Sequence, residues 1–545
     1  MDVRALKTIL VVLPFGLLFI APLIAALGFM LVDGLRASGW AALLQHPQLW
    51  PALRLSIFTG VAATALALVP AVLIAASFFN RQNLPKLAYS LGAMLAVPHL
   101  AFAIGFSFLI MPSGVLARLV AIFTGWTSPP AWVSTHDPWG LGLVFVLACK
   151  ECGFLLFVLG GLLSRADLAL SLRAQAQVAQ SLGHGRTSTW LRVLVPQLLP
   201  QMIWPLVIVF IYAATVVDVA LVIGPTQPPT LALVAWADIN SAAPANNLRG
   251  AATALFLSLV LVLIILAVLH SASFLRPIAM RWASRGPSPS HRWPEFGAAK
   301  WRALQTIFAT VVFVLVLLSL APLWPFPDIM PPVLLPTAWL VVARQMQPLF
   351  ASLVLAVATS VSALAVLTAW FEWVPQKWDK GLMLLCLVTL GLPGLLLGLG
   401  QYRLMLQLGL VATPLGLYLA HLAPVAAYMF LLLIGPIRAF DPRWREASAG
   451  LGVALPRFFI AVKWPLLKPA LLSSLAVGFA VSFAQYVPAQ LISAGRYSTL
   501  PMEAVTLSSG GNRPLTAAFA LLLMVPPLVA FALSGRLSRS RWRAA

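Results

Sequence analysis

Twelve stretches of this 545-residue chain run apolar for 18 residues or more, and few folds can hold them. At a rise of 1.5 Å per residue, about 20 such residues cross roughly 30 Å of hydrocarbon. The spans read as 8–32, 53–78, 87–111, 139–163, 201–223 and 250–275, then 303–324, 349–371, 381–401, 414–437, 470–492 and 514–535. The composition agrees, with 61% hydrophobic and 9% charged residues against about 45–50% and 25% in soluble domains. Lipid offers no partner to backbone polar groups, so the expected fold is an all-α polytopic membrane protein with twelve transmembrane helices. The first span follows the basic start "MDVRALK". It is longer than the 7–15 residues of a secretory apolar region and is expected to stay in the protein.

The formal net charge of +21 raises a nucleic-acid reading, which the distribution of the charge opposes. With the chain start placed inside, 26 of the 35 Lys and Arg fall on that side of the twelve spans. They include Arg4, Lys7, Arg81, Lys86, the stretch from Arg276 to Arg302, and Arg536, Arg539, Arg541 and Arg543. Cationic loops resist translocation, so both termini are expected in the cytoplasm of a bacterial inner (plasma) membrane protein. Much of the excess charge then faces anionic lipid headgroups, with no nucleic-acid partner.

A repeat divides the chain. One offset of 269 positions brings Gly183 onto Gly452, Val193 onto Val462, Pro196 onto Pro465, Pro200 onto Pro469, Phe210 onto Phe479 and Thr230-Leu231 onto Thr499-Leu500. Two six-span halves are expected at 1–275 and 303–545, joined by a basic, Pro- and Ser-rich cytoplasmic linker at 276–302. An even span number per half makes the repeat a parallel one, about an axis along the membrane normal.

The best-kept segment of the repeat is polar. "REASAGLGVALPRFFIAVKWPLLKPA" at 445–470 and "AQVAQSLGHGRTSTWLRVLVPQLLPQ" at 176–201 each read as two short helical pieces meeting at a glycine. Glycine permits that bend, and the small residues around it leave a low surface another protein can approach. Glu446-Ala447-Ser448, Gly452 and Pro465 resemble the EAA loop of permease subunits of bacterial ABC importers. Gln177-Val178-Ala179, Gly183 and Pro196 keep its spacing but replace the glutamate. The twelve-span fused arrangement is similar to the two-domain permeases of the ferric-iron and thiamine importers, as are "ACKECGFLLFVLGGL" at 148–162 and "SFAQYVPAQLISAGRYSTLP" at 482–501.

This resemblance implies two tandem six-helix type I ABC importer permease domains. It also implies coupling loops that seat in clefts of two cytoplasmic ATPase subunits, and an external solute-binding protein that delivers substrate. At Gln177 the amide keeps the shape of glutamate but loses a charge-assisted hydrogen bond, about twice as strong as a neutral one, so this loop either docks more weakly or uses the position only to bracket its helix.

Ionisable groups at membrane depth are costly and usually face a bundle interior or a cavity, which makes Lys150, Glu151 and Asp218 translocation-pathway candidates. Lys150 and Glu151 point about 100° apart on a helix and should pair with different groups. Ser482, Gln485 and Tyr486 occupy the corresponding segment of the second half. His99 and His421 read as interhelical hydrogen-bonding residues, since neither has a partner at metal-ligand spacing. Pro98, Pro393 and Gly394 should break their spans, and irregular backbone at that depth must be buried or line a cavity. Cys149 and Cys152 form a C-x-x-C inside a span, away from any redox context, and with Cys386 imply no disulfide framework.

The chain contains no phosphate-binding G-x-x-x-x-G-K-[ST] loop and no catalytic constellation, cofactor motif or metal-ligand set. The reading is therefore a transport subunit, not an enzyme, that borrows ATP hydrolysis from separate subunits. An ion-gradient-driven twelve-span secondary transporter is the alternative; it would explain the duplication but not the matched loops. The solute stays open among ferric iron, thiamine, polyamine and oxyanion classes.

Overall fold

A computed structural model describes residues 12–13, 16–80, 91–284, 286 and 294–538. Arg4, Lys7, Arg81, Lys86, Arg539, Arg541 and Arg543 lie outside the described residues, as do the starts of the spans expected at 8–32 and 87–111.

The described residues are overwhelmingly helical, and the one extended pairing is an isolated bridge between Thr226 and Pro229. The helices used below are α1 (Ala21–Gly34), α2 (Ala37–Leu44), α3 (Leu49–Asn80), α4 (His99–Ile110), α5 (Val115–Thr124), α6 (Leu141–Ser164), α7 (Ala166–Ser181), α8 (Ile203–Thr215), α9 (Asp218–Ile223), α10 (Leu231–Ile239) and α11 (Pro244–Ala283). They continue with α12 (Pro294–Leu320), α13 (Gln347–Trp373), α14 (Asp379–Gly391), α15 (Gly394–Gln407), α16 (Pro414–Arg438), α17 (Arg443–Gly450), α18 (Trp464–Phe483), α19 (Val487–Ser493), α20 (Leu500–Ser508) and α21 (Arg513–Leu537). Among the described residues, ten helical stretches are long and apolar enough to cross a membrane, and up to twelve if each of two bent pairs is one span. α1 and α2 meet at 59°, and the helix through Gly391 meets α15 at 106°. The chain is an all-α polytopic membrane protein.

Two compact units emerge from the packing, and they do not follow the two sequence halves. One comprises residues 1–32, 340–510 and 521–545; the other comprises 33–339 and 511–520. The first helix of each half thus packs with the other half's helices. A glycine receives it in both cases. In one unit, a Cβ on Gly105 of α4 would stand 2.7 Å from Val311 of α12. In the other, a Cβ on Gly400 of α15 would overlap the Ala26 carbonyl of α1. The same 295 positions separate Gly105 from Gly400 and Pro98 from Pro393, so the two seats are equivalent places in the repeat.

The spans expected at 201–223 and 470–492 are not continuous helices. α8 stops at Thr215 and α9 restarts at Asp218, while α18 stops at Phe483 and α19 restarts at Val487. The turning residues have nearly the same conformation, with φ −102° and ψ −55° at Val217 and φ −105° and ψ −57° at Tyr486. Pro488, at the start of α19, has no N–H to return to the carbonyl of Ala484. Beyond each break a serine fixes the next short helix. Leu231 N–H donates to Ser56 Oγ at 2.8 Å in one unit, and Leu500 N–H donates to Ser352 Oγ at 2.8 Å in the other.

Candidate functional site

The polar repeat folds twice into one element. α7 carries Gln177, Val178 and Ala179, and α17 carries Glu446, Ala447 and Ser448. Gly183 and Gly452 follow with φ of 89° and 72°, a left-handed conformation that side-chain-bearing residues adopt only under strain. The capping hydrogen bonds match one for one. His184 N–H donates to Ala179 O and Val453 N–H to Ser448 O, both at 3.0 Å; Gly183 N–H donates to Gln180 O and Gly452 N–H to Ala449 O, also at 3.0 Å. A Cβ on Gly452 would meet nothing within 4 Å, so conformation alone requires glycine there.

After the glycine, each copy runs through a short helical turn into a π-helical segment, Thr189–Leu194 or Phe459–Lys463, and then a helix with proline at its second position, Pro196 or Pro465. Helix runs straight into each proline, and the π segment, whose wider bonds include Val195 N–H to Trp190 O and Trp464 N–H to Phe459 O, accommodates the missing proline N–H. Ala179 and Ser448 face inward, while Gln177, Glu446 and Ala447 are exposed. Large apolar side chains stand in solvent beside the glycines: Val178 at 59%, Leu182 at 66% and Leu451 at 82% exposure. These two elements have the form of docking knobs.

The two copies are braced differently. At the second, Arg438 of α16 binds Asp379 through Nε–Oδ2 at 2.6 Å and Nη2–Oδ1 at 2.9 Å, and donates to Phe371 O at 2.9 Å. Trp370 Nε1 donates to the same carboxylate at 3.1 Å. Lys463, in the π-helical segment, binds Glu372 at 2.5 Å. At the first copy, Arg192 lies 5.4 Å from the ring centroid of Trp282 and donates to Gly286 O at 3.2 Å, both in the stretch expected as the linker. Gln197 Nε2 donates to Gln175 Oε1 at 2.6 Å. Of these bracing residues only Lys463, Arg192 and Gln197 lie in the two quoted loop segments, and a proline- or charge-based scan of the sequence does not pair them.

The membrane-embedded candidates form one polar group in each unit. In the first, Lys150 is 3% exposed on α6, and its Nζ donates to Met94 O at 2.8 Å and to Val97 O. Pro98 is the reason. It lacks the N–H that would have returned to Met94 O, and the lysine ammonium supplies the missing donor. Glu151, the next residue, turns the other way and pairs with His99 Nε2 at 3.0 Å. His99 packs edge-on against Tyr212 at 5.0 Å, and Asp218, at the start of α9, takes the Val219 N–H and lies within electrostatic reach of His99. Lys150 and Glu151 therefore bond to different groups, as their angular separation on α6 requires.

In the second unit the corresponding helix carries Pro424, which frees the carbonyl of Ala420. Gln401 Nε2 donates to that oxygen at 3.0 Å. His421, 1% exposed, contacts Ser482 Oγ through Nδ1 at 3.1 Å, and Gln485 Nε2 donates to His421 O at 3.3 Å. Tyr486 is buried at the break itself. Sequence reasoning missed Gln401, although an intramembrane proline always frees the carbonyl four residues earlier and so asks for a nearby donor.

No protein-family model matches the chain. Among curated proteins it is 32% identical to the inner membrane ABC transporter permease protein YnjC of Escherichia coli over 520 residues, 95% of this chain and 94% of that protein. A shorter match, 25% identical over 27% of this chain and 57% of the relative, joins it to the spermidine/putrescine transport system permease protein PotC of Haemophilus influenzae. The putrescine transport system permease protein PotI of E. coli matches at 27% identity over 24% of this chain and 47% of its own length. With near-complete coverage of that permease, a helical polytopic fold and a duplicated polar element, the chain belongs to the inner membrane ABC transporter permeases.

Proposed function

We propose that this chain forms the translocation pathway of an ATP-driven solute importer, with its halves at 1–275 and 303–545 acting as two permease domains joined by the linker at 276–302. The observation that carries this reading is the helix–glycine–π-helix–proline element repeated at 176–201 and 445–470 with matching capping bonds. Gln177, Val178, Ala179, Gly183 and Pro196 form one coupling loop, and Glu446, Ala447, Ser448, Gly452 and Pro465 the other. Each offers exposed apolar side chains to a cytoplasmic ATPase subunit, two copies in all. Closure of the ATPase pair biases the halves between inward-open and outward-open states, because it binds one arrangement more tightly than the other. An external solute-binding protein supplies substrate at the opposite face, and both chain termini lie in the cytoplasm.

Lys150, Glu151, Asp218, Ser482, Gln485 and Tyr486 belong to the route. Breaks in the helix at membrane depth support this, since irregular backbone survives there only when buried or beside a cavity. Lys150 holds the Pro98 break open from behind; Glu151, Asp218 and Gln485 present polar groups beside their breaks.

Co-purification from native membranes tests the reading, comparing wild type with Gly452→Asp and Glu446→Ala. A Walker-type ATPase should be retained by wild type and lost from Gly452→Asp. Solute uptake by the wild-type chain alone, in vesicles energised only by an ion gradient, would sink it in favour of secondary transport.

A further inference from the structure

The polar group of the second unit holds two atoms with unmet hydrogen bonds. Among the described residues, His421 Nε2 and Gln485 Oε1 are out of solvent reach and have no partner. The amide orientation of Gln485 is fixed, because its Nε2 donates to His421 O at 3.3 Å. Its oxygen can therefore only accept. His421 is adaptable: with Nδ1 accepting from Ser482 its Nε2 is a donor, and with Nδ1 donating its Nε2 is an acceptor. A buried polar atom left without a partner is costly and calls for one, a water, an ion or a bound group.

We infer that His421, Ser482 and Gln485 form a subsite for a hydrogen-bond-donating group of a neutral or cationic solute, an amine, ammonium or hydroxyl, and that it rejects oxyanions. A carboxylate, sulfate or phosphate oxygen brings no proton to Gln485 Oε1 and would face it lone pair to lone pair. This inference rests on the proposal that the break at 484–486 lies on the route.

A separate observation in the other unit agrees with it. The buried lysine beside that break, Lys150, is committed to Met94 O and Val97 O. What remains beside that break is two acidic side chains, Glu151 and Asp218, with the imidazole of His99 against Glu151. Such a group attracts cations and repels anions.

The test uses full-length protein in lipid nanodiscs with ¹⁵N-labelled histidine. The chain has seven histidines, so the His421 ring signals can be assigned by their loss in His421→Asn. Putrescine, glycerol and sulfate are titrated in turn. Putrescine or glycerol should shift the His421 signals saturably, and sulfate should leave them unmoved. Gln485→Leu should weaken the response about tenfold, the usual cost of one buried hydrogen bond. Gln485→Lys should transfer the response to sulfate.

A sulfate response in wild type overturns the inference. So does the absence of any response, which would leave a resident water as the donor to Gln485. Thiol labelling of Gln485→Cys from each membrane side, with Cys149, Cys152 and Cys386 replaced by alanine, tests the route separately. Labelling together with a wild-type sulfate response keeps the route and discards the solute class; no labelling from either side discards the route.

Discussion

The two copies of the polar repeat share a backbone and differ in what holds them. The loop after α16 is entered beside a bidentate Arg438–Asp379 pair and left through the Lys463–Glu372 pair. The loop through Gly183 is held by neutral amide contacts and by Arg192 resting on Trp282. Partly buried ion pairs with extra hydrogen bonds are strongly destabilised when one partner is removed, whereas exposed cation–aromatic contacts contribute little. The second loop is thus fixed to its own helices and transmits displacement stiffly; the first is tied to the segment between the halves and yields more easily. One docking geometry can therefore be repeated with two compliances.

Removal of single braces would break this comparison or sharpen it. Arg438→Ala should have the largest effect, lowering stability in detergent by about 3 kcal/mol because the Asp379 carboxylate is left without its cation. Thermal unfolding followed by helical circular dichroism reads it, and a loss under about 1 kcal/mol would put the second loop on the same footing as the first. Lys463→Ala follows at about 2 kcal/mol, since its pair with Glu372 is nearly as enclosed. Gly183→Ala and Gly452→Ala should cost about 1 kcal/mol each, the strain of a left-handed residue, and their equality is the point. A marked difference between them would show that the two turns are not equivalent. Arg192→Ala is the smallest, under about 1 kcal/mol; its signature is faster proteolysis of the segment around Gly286, with the melting point little changed.

Much of this architecture is readable from residue order. Hydropathy announces the ten to twelve candidate crossings among the described residues, because lipid imposes its requirement on every one of them. The glycines at 183 and 452 mark the paired turns because no other residue relaxes at φ of 89° or 72°. The break at Val217 is illegible by contrast, whereas Pro488 announces the one at Tyr486. Val216 and Val217 are apolar and β-branched, and no glycine or proline announces the bend at Val217; the tertiary structure imposes it. Lys150 signals its own importance by its cost, but its acceptors follow only once Pro98 is placed beside α6. The exchange of first helices between units is invisible to any repeat alignment, which sees order along the chain and not the surface a helix covers. Gly105 and Gly400 record it in hindsight, as gaps filled by the side chains of Val311 and Leu315 in one case and by the Ala26 backbone in the other.

That exchange sets a timetable for biogenesis. The seat of α1 at Gly400 is translated roughly 370 residues after α1 itself, which at about 5–20 residues per second is a delay of roughly 20–70 s. During that interval α1 has entered the membrane without the surface it is shaped to cover. The insertion machinery or the surrounding lipid must hold it until the chain is nearly complete, and a ribosome stalled between α12 and α15 would leave an orphan helix for the quality-control proteases of the membrane to find.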